Sequence, residues 1–194
     1  MGGDAGPGGK DASAVYDEQR ILQQLRRGDQ TVFGQLMERY ETRIYRLALR
    51  YAQTPQDAED ITQEVFVAVY QAIPSFRGAS SLGTWIYRIA LNHCLQYARK
   101  RRPEPVPLHD GLQTVPDAHT EDPLEAASAH CLAEQVDRAL EQLDALHRDV
   151  VILHELHGLT YAECAGVLGI PVGTVKSRLA NAFTRLRAIL KEAP

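Results

Sequence analysis

The sequence is short of cysteine, of membrane-length apolar runs and of strand signals. Its three cysteines, Cys94, Cys131 and Cys164, are an odd number, lie far apart and show no C-x-x-C spacing. This spacing argues against a disulfide framework or a zinc knuckle and favours reduced core thiols. No apolar run approaches the ~20 residues that span a bilayer, and the N-terminus lacks the charged-then-apolar order of a secretory signal. We therefore expect a cytoplasmic protein without membrane insertion.

Alternating β-branched residues, which are typical of strands, are also missing, and apolar residues instead recur at intervals of three and four. The expected fold class is all-α. Four helices are predicted before a proline-rich stretch, at 16–27, 30–53, 56–73 and 82–100, and four after it, at 124–143, 146–157, 161–168 and 171–191. Asp29 and Thr54 are the predicted N-caps of the second and third helices.

The stretch 103–123 separates two parts of the chain. It holds five prolines and five acidic residues but no lysine or arginine, and it lacks helical periodicity. We interpret it as a flexible acidic linker between two small helical domains, 15–102 and 124–194, preceded by a disordered tail, 1–14. Although the formal net charge is -4, residues 15–102 carry 13 Lys and Arg against 9 Asp and Glu, and five of the seven basic residues of 124–194 lie in the last predicted helix. Such segregation is typical of a protein that touches nucleic acid at chosen places.

A helix-turn-helix is predicted in the second domain. Thr160 and Glu163 form a T-x-x-E capping box, Gly169 can end the first helix, and Pro171 suits the start of the second. In that second helix polar and basic residues lie opposite an apolar stripe, as DNA reading in the major groove requires. They are Thr174, Ser177, Arg178, Asn181 and Arg185, with Lys176 at the flank. A solvated amphipathic helix is the alternative.

The third helix of the first domain presents the opposite charge. Asp57, Asp60, Gln63 and Glu64 share its outer face. DNA phosphates would repel these carboxylates, so a basic protein partner suits the face better. The alternative is an acidic first turn that favours the helix dipole, which explains Asp57 and Asp60 more easily than Glu64.

A small polar loop bracketed by Gly78 and Gly83 precedes the fourth helix. On one face of that helix an aromatic ring alternates with arginines and amides, a pattern suited to single-stranded nucleic acid. The face comprises Trp85, Arg88, Asn92, Gln96 and Arg99. The alternative makes Trp85 a partly buried core residue and the basic run a solvated helix end.

These segments, including "TWIYRIALN" and "GLTYAECAGVLGIPVGTVKSRL", resemble regions 2 and 4 of bacterial sigma-70 family factors of the extracytoplasmic-function (ECF) group. The resemblance implies a non-catalytic initiation factor without a cofactor, which binds core RNA polymerase, directs it to promoters and assists promoter melting. Its implied protein partners are the clamp helices of the largest subunit, the flap of the second-largest subunit and an anti-sigma factor.

The resemblance also implies a role for each candidate residue. Core-polymerase binding falls on Asp57, Asp60, Gln63 and Glu64. Reading and melting of the minus 10 element falls on Phe76, Arg77, Ser80, Ser81, Trp85, Arg88, Asn92 and Arg99. Reading of the minus 35 element falls on Thr174, Lys176, Ser177, Arg178, Asn181 and Arg185. Leu82 departs from a frequent Phe of the family, and Ala180, Asn181 and Phe183 replace common basic or aromatic residues, so promoter sequence does not carry over.

Two rival hypotheses remain open at this point. A stand-alone helix-turn-helix regulator would use the same DNA-reading helix but leaves the acidic face unexplained. A metal enzyme or sensor would use the histidines of "HRDVVILHELHG", of which His154 and His157 are one turn apart while His147 lies further away. This motif is not the zinc-binding H-E-x-x-H.

Overall fold

The computed structural model of the chain describes residues 12–100 and 135–192, and these residues confirm the all-α fold class. Most of the predicted tail, the whole predicted linker and the start of the fifth predicted helix lie outside the described residues. The first helical group contains α1 (Ala12–Arg26), α2 (Gln30–Leu49), α3 (Pro55–Ala72), a 3-10 turn (Ile73–Ser75) and α4 (Leu82–Lys100). The second contains α5 (135–141), α6 (Ala145–Val151), a π-helical turn (Ile152–Leu156), α7 (Tyr161–Leu168) and α8 (Val172–Glu192).

Local capping chemistry sets where several helices begin. The Asp29 carboxylate accepts hydrogen bonds from the backbone N–H groups of Thr31 and Val32 at 3.0 and 3.2 Å, and it thereby caps α2. Thr54 caps α3 by accepting from the Asp57 N–H at 3.1 Å. These bonds satisfy N–H groups that a helix start leaves without an intrahelical partner. Both predicted N-caps are confirmed.

The helix-turn-helix is also confirmed. The Thr160 hydroxyl accepts from the Glu163 N–H at 3.3 Å while the Glu163 carboxylate accepts from the Thr160 N–H at 2.9 Å, so both halves of the capping box are present. Gly169 ends α7 with φ of 67°, a left-handed conformation that is costly for residues with a side chain. Val175, Leu179 and Ala182 are buried and form the predicted stripe of α8.

The predicted helix 146–157 is not continuous α-helix. After Val151 the chain widens into the π turn, where the His157 N–H donates to the Ile152 carbonyl five residues back at 3.1 Å. Gly158 then reverses the chain with φ of 66°. The wider turn places His154 and His157 against different partners, which regular helical spacing does not anticipate.

The two helical groups share a continuous apolar core rather than standing apart. Ile44, Val65 and Ile86 are completely or almost completely buried in the first group, and Val150, Leu153 and Cys164 are in the second. The groups meet where α4 packs against α7.

Several hydrogen bonds cross the junction of the two groups, among them that of the Arg50 guanidinium with the Asp137 carboxylate. The Tyr51 hydroxyl donates to the Asp149 carboxylate at 2.7 Å, the Tyr87 hydroxyl lies 3.3 Å from His157 Nδ1, and Arg88 Nε donates to the Gly166 carbonyl at 3.0 Å. The described residues therefore form a closed arrangement.

His157 is a titratable group of this junction whose pKa is lowered. Burial lowers its pKa to about 4, and the positive charges of Arg50, Arg46 and Arg43 act in the same direction. The ring is thus neutral at pH 7, which leaves Nδ1 able to accept a hydrogen bond from the Tyr87 hydroxyl.

The depressed pKa of His157 predicts a loss of stability in mild acid. The unfolded side chain takes up its proton near pH 6.5, whereas the folded one does so only near pH 4, so the stabilisation is present above pH 6.5 and is lost across that window. We expect the contribution of His157 to the free energy of unfolding to fall by about 2 kcal/mol between about pH 7.5 and about pH 5, measured by urea unfolding. The His157→Gln variant should show a shallower pH dependence, and an identical dependence in the two proteins would refute this origin.

Candidate functional site

The acidic face of α3 is exposed and continuous. Asp60, Gln63 and Glu64 are exposed, and they line a shallow groove with His93 of α4, whose Nδ1 lies 3.6 Å from the Glu64 carboxylate. Asp57 differs, because it is half-buried and its carboxylate accepts from the Thr54 hydroxyl at 2.6 Å. Asp57 thus takes part in the cap of α3, as the helix-start alternative expected.

Sequence reasoning missed two apolar residues beside this acidic face. Val67 is 57% exposed and lines the same groove, and Tyr70 is 48% exposed with its ring edge-on to Phe33, the ring centroids 5.0 Å apart. Val67 follows Glu64 by three residues, and Tyr70 follows Val67 by three. Residues three and four apart share a helix face, so this spacing could have placed both beside the acidic residues. The α3 surface combines carboxylates with an unburied apolar strip.

The loop between the 3-10 turn and α4 is held by a buried aromatic contact. Phe76 is 5% exposed, and its ring packs at a centroid distance of 4.7 Å on that of Trp85, which is partly buried. Arg77 is exposed, whereas Ser81 accepts from the Thr84 N–H at 3.2 Å and so caps α4. Ser80 donates to the Ser81 carbonyl at 3.2 Å. Phe76 and Ser81 therefore shape the loop, while Arg77 reaches solvent.

The outer face of α4 is partly covered by α7. Asn92 and Arg99 are exposed, and Arg99 Nε donates to the Leu95 carbonyl of its own helix at 3.3 Å. Arg88 donates through two nitrogens to the Gly166 carbonyl of α7. Trp85, Arg88, Asn92 and Arg99 follow one another at helical spacing, but in the closed arrangement Arg88 is already engaged.

The candidate DNA-reading residues of α8 fall into two groups. Lys176, Ser177 and Asn181 are exposed, and Thr174 is partly exposed beside them. Arg178 is partly buried, and its charge counters the rise in the pKa of Asp149 that burial causes. Arg185 pairs with the carboxylate of Asp144, the N-cap of α6. The open polar surface therefore lies in the first half of α8.

Each of the three singled-out histidines has a structural partner. His147 Nδ1 lies 2.7 Å from the Asp144 carboxylate, His154 Nδ1 donates to the Leu159 carbonyl at 2.6 Å, and His157 contacts Tyr87. Within residues 12–100 and 135–192 no group of three or more His, Cys, Asp or Glu side chains is placed to hold a metal ion. The same residues include no helix that is long and apolar enough to cross a membrane.

Fold and surfaces together define an all-helical protein of the DNA-binding class, with a helix-turn-helix after a second helical group that bears an acidic face. Residues 36–104 match the family model described as Sigma-70 region 2, and residues 133–186 match Sigma-70, region 4. The chain belongs to the sigma-70 family and is of the ECF type. It is a non-catalytic initiation factor that directs RNA polymerase to promoters.

Relatives cover nearly the whole chain. The chain is 33% identical over 189 residues to the RNA polymerase sigma-H factor of Pseudomonas aeruginosa, spanning 91% of this chain and 97% of that protein. It is 35% identical over 181 residues to the ECF RNA polymerase sigma-E factor of Escherichia coli strain K12, spanning 88% and 92%. Among solved structures, CnrH in complex with the cytosolic domain of CnrY is similar with a TM-score of 0.71 and 26% identity, covering 91% and 99% of the two chains.

The absence of a side chain at Gly166 permits the close contact of α7 with α4. A Cβ atom there would lie 2.8 Å from the Thr84 methyl group, which is below normal contact distance. We expect Gly166→Val to destabilise the fold by about 1–3 kcal/mol through overpacking, measured by thermal unfolding. Adding Thr84→Ser removes that methyl group and keeps the hydroxyl, so it should restore part of the loss.

Gly34→Ala in α2 is the control for this prediction, because nothing lies within 4 Å of the added Cβ. It should leave the unfolding temperature unchanged or raise it slightly, since alanine favours helix more than glycine. An unfolding temperature of Gly166→Val equal to the wild type would show that α4 and α7 are not in close contact.

Proposed function

We propose that the chain docks on core RNA polymerase through the α3 surface and engages promoter DNA through α4 with its preceding loop and through α8. The observation that carries the proposal is the separation of exposed charge. Carboxylates face solvent on α3, whereas cations and amides face solvent on α4 and on the first half of α8. Surfaces of opposite charge on one chain suit two different kinds of partner.

The α3 surface is suited to a basic partner with apolar side chains at its centre. Asp60 and Glu64 would steer such a partner, and Val67 and Tyr70 would lose their contact with water on docking. The clamp helices of the largest polymerase subunit are the partner that the family resemblance implies. The similarity to RNA polymerase sigma factors supports RNA polymerase as the partner.

The α4 face is proposed to bind the opened strand of the minus 10 element and so to assist melting. Trp85 offers a ring for base stacking, Asn92 offers an amide, and Arg99 and Arg77 offer charge to the backbone. Arg88 is exposed but directs two of its nitrogens to the Gly166 carbonyl, and it can turn those donors to the strand only after it leaves that carbonyl. Binding of the strand is therefore coupled to separation of α4 from α7.

The first half of α8 is proposed to read the minus 35 element in the major groove. Lys176 can contact phosphate, while Ser177 and Asn181 can meet base edges with Thr174 beside them. So small a number of cations gives weak, salt-sensitive binding on its own. Polymerase must supply the rest of the affinity, including through its flap against the second helical group.

An anti-sigma factor is the further protein partner that we propose. CnrH, a solved relative in fold, is in complex with the cytosolic domain of CnrY. A comparable partner would hold the α4 and α7 surfaces away from DNA. We propose the cytoplasm, where polymerase and promoters meet, as the place of action.

Charge reversal on the acidic face tests the docking surface. We expect Asp60→Arg together with Glu64→Arg to weaken binding to core polymerase at least tenfold, because like charges would then oppose the basic partner. Binding is measured by gel filtration and by fluorescence anisotropy of the labelled chain. Glu38→Arg with Glu41→Arg, on exposed positions of α2, makes the same charge change and should retain binding.

The proposed function as a whole is tested by run-off transcription with core enzyme on a promoter library. Specific initiation by the wild type and its loss in the charge-reversed variant are expected. A chain that binds promoter DNA tightly without polymerase would instead support the stand-alone regulator.

Removal of the Arg178 side chain tests the minus 35 contact. If Arg178 reaches a base edge, Arg178→Ala should weaken upstream recognition by about 1–3 kcal/mol, roughly 5- to 150-fold. Footprinting of holoenzyme on promoters with and without a minus 35 change measures this effect. Arg187→Ala removes an exposed arginine further along α8 and is the matched control. A lower unfolding temperature without any change in footprint would place Arg178 in the support of Asp149 instead.

A further inference from the structure

Helix α1 contacts both ends of the loop that precedes α4. At the start of the loop, the guanidinium of Arg26 donates to the Phe76 carbonyl. At its end, the backbone N–H of Leu82 donates to the Glu18 carboxylate. Glu18 and Arg26 are eight residues apart, or about 12 Å along the helix axis. One helix thus spans the loop and is bonded to each of its ends.

The bond to Leu82 also completes the start of α4. The first N–H groups of a helix have no intrahelical partner, and a carboxylate at this end is favoured by the helix dipole. Ser81 satisfies the Thr84 N–H, and Glu18 satisfies that of Leu82. The position of the first turn of α4, and with it that of Trp85, therefore depends on a residue far away in sequence.

The hydrogen bond from Arg26 to the Phe76 carbonyl also affects Trp85, because it holds the residue on which the Trp85 ring packs. Phe76 is buried, and its ring packs on that of Trp85. Leu22 and Leu25 are buried in the core and anchor the inner face of α1. The Arg26 side chain therefore extends from a helix whose position is fixed. Between α1 and the loop lies an open groove of about 360 Å³, with Arg77, Gly78 and Ser80 on the loop side.

We infer that α1 is a positioning element for strand reading, in which Glu18 and Arg26 hold the loop and Trp85 in the geometry that the opened strand requires. This inference rests on the proposed function of the α4 face. It assigns a role to a helix that precedes residue 36, where the match to Sigma-70 region 2 begins. Neither residue need touch DNA, because both act through the backbone of the loop.

Trp85 provides a direct readout, since it is the only tryptophan of the sequence. In the full chain without polymerase, Glu18→Ala with Arg26→Ala should shift the Trp85 emission to the red and raise acrylamide quenching about twofold as the ring gains exposure. Glu18→Gln and Arg26→Lys keep an acceptor and a donor, so each should stay near the wild type. Gln19→Ala with Arg20→Ala changes exposed positions of the same helix and is the control.

The second readout is promoter opening by holoenzyme, followed by permanganate reactivity of unpaired thymines. We expect the Glu18→Ala, Arg26→Ala chain to open promoters about fivefold or more slowly, since small displacements of a positioned group have large kinetic effects. Its binding to core polymerase and its minus 35 footprint should equal those of the wild type. The single variant Glu18→Gln should open promoters at close to the wild-type rate, because glutamine keeps the hydrogen-bond acceptor. A purely electrostatic effect of the lost carboxylate would instead slow opening in this variant too.

The outcomes separate this inference from the proposed function. Unchanged Trp85 fluorescence in the double variant would overturn the contact of α1 with the loop, and changed fluorescence with normal opening would overturn its role in strand reading. Failure of the wild type to open any promoter would overturn the proposed function and the role in strand reading with it. In that case, Trp85 fluorescence of the free wild-type and double-variant chains would still show whether Glu18 and Arg26 position the loop. Thermal unfolding of every variant establishes that loss of opening is not loss of fold.

Discussion

Among the hydrogen bonds that join the two helical groups, the fully buried one constrains the closed arrangement: the Tyr51 hydroxyl donates to the Asp149 carboxylate. Asp149 is 6% exposed, and burial raises its pKa, although the Tyr51 hydrogen bond and the charges of Arg148 and Arg178 act against that rise. Burial likewise raises the pKa of Tyr51 well above its ordinary value. Either group, left buried in the closed arrangement without its partner, would cost about 1–3 kcal/mol. Apolar burial makes the junction favourable, while this directional bond fixes which surfaces meet.

The close contact of the two helical groups brings α7 against the outer face of α4. Because Gly166 lies close to Thr84, its carbonyl comes within reach of Arg88. If Arg88 binds the opened strand as proposed, the donors that bond this carbonyl are not available to DNA, so closure of the chain and engagement of the strand would be linked equilibria. A polymerase that holds the two helical groups apart shifts the chain toward the open form, whereas a partner that binds the closed form has the opposite effect.

The features that could be predicted from the sequence are those formed by residues close to one another along the chain. The caps at Asp29, Thr54 and Thr160 and the turn at Gly169 are local bonds between near neighbours, so spacing alone located them. The contacts of Glu18 with Leu82, of Tyr51 with Asp149 and of Arg185 with Asp144 join residues 64, 98 and 41 positions apart, and no local pattern encodes them. The same limit explains why Phe76 was expected at the DNA surface but is buried, and why the acidic face was predicted without Val67 and Tyr70. Function within the family was readable because several short motifs occur in one order.

The long-range contacts also change how the basic residues should be understood. Arg88 and Arg99 bond carbonyls, and Arg185 pairs with Asp144. Lys176 lies over the Tyr161 ring, and the charge of Arg178 acts on Asp149, so five of the six cations predicted for DNA already have intramolecular contacts. DNA phosphate must compete with each of them, which reduces the attraction of the free chain for random sequence. For a chain of formal net charge -4, tight binding to DNA then requires both rearrangement and added contacts. If polymerase docks on α3 as proposed, it can supply both, and the acidic face and the proposed DNA surfaces would then operate as one system.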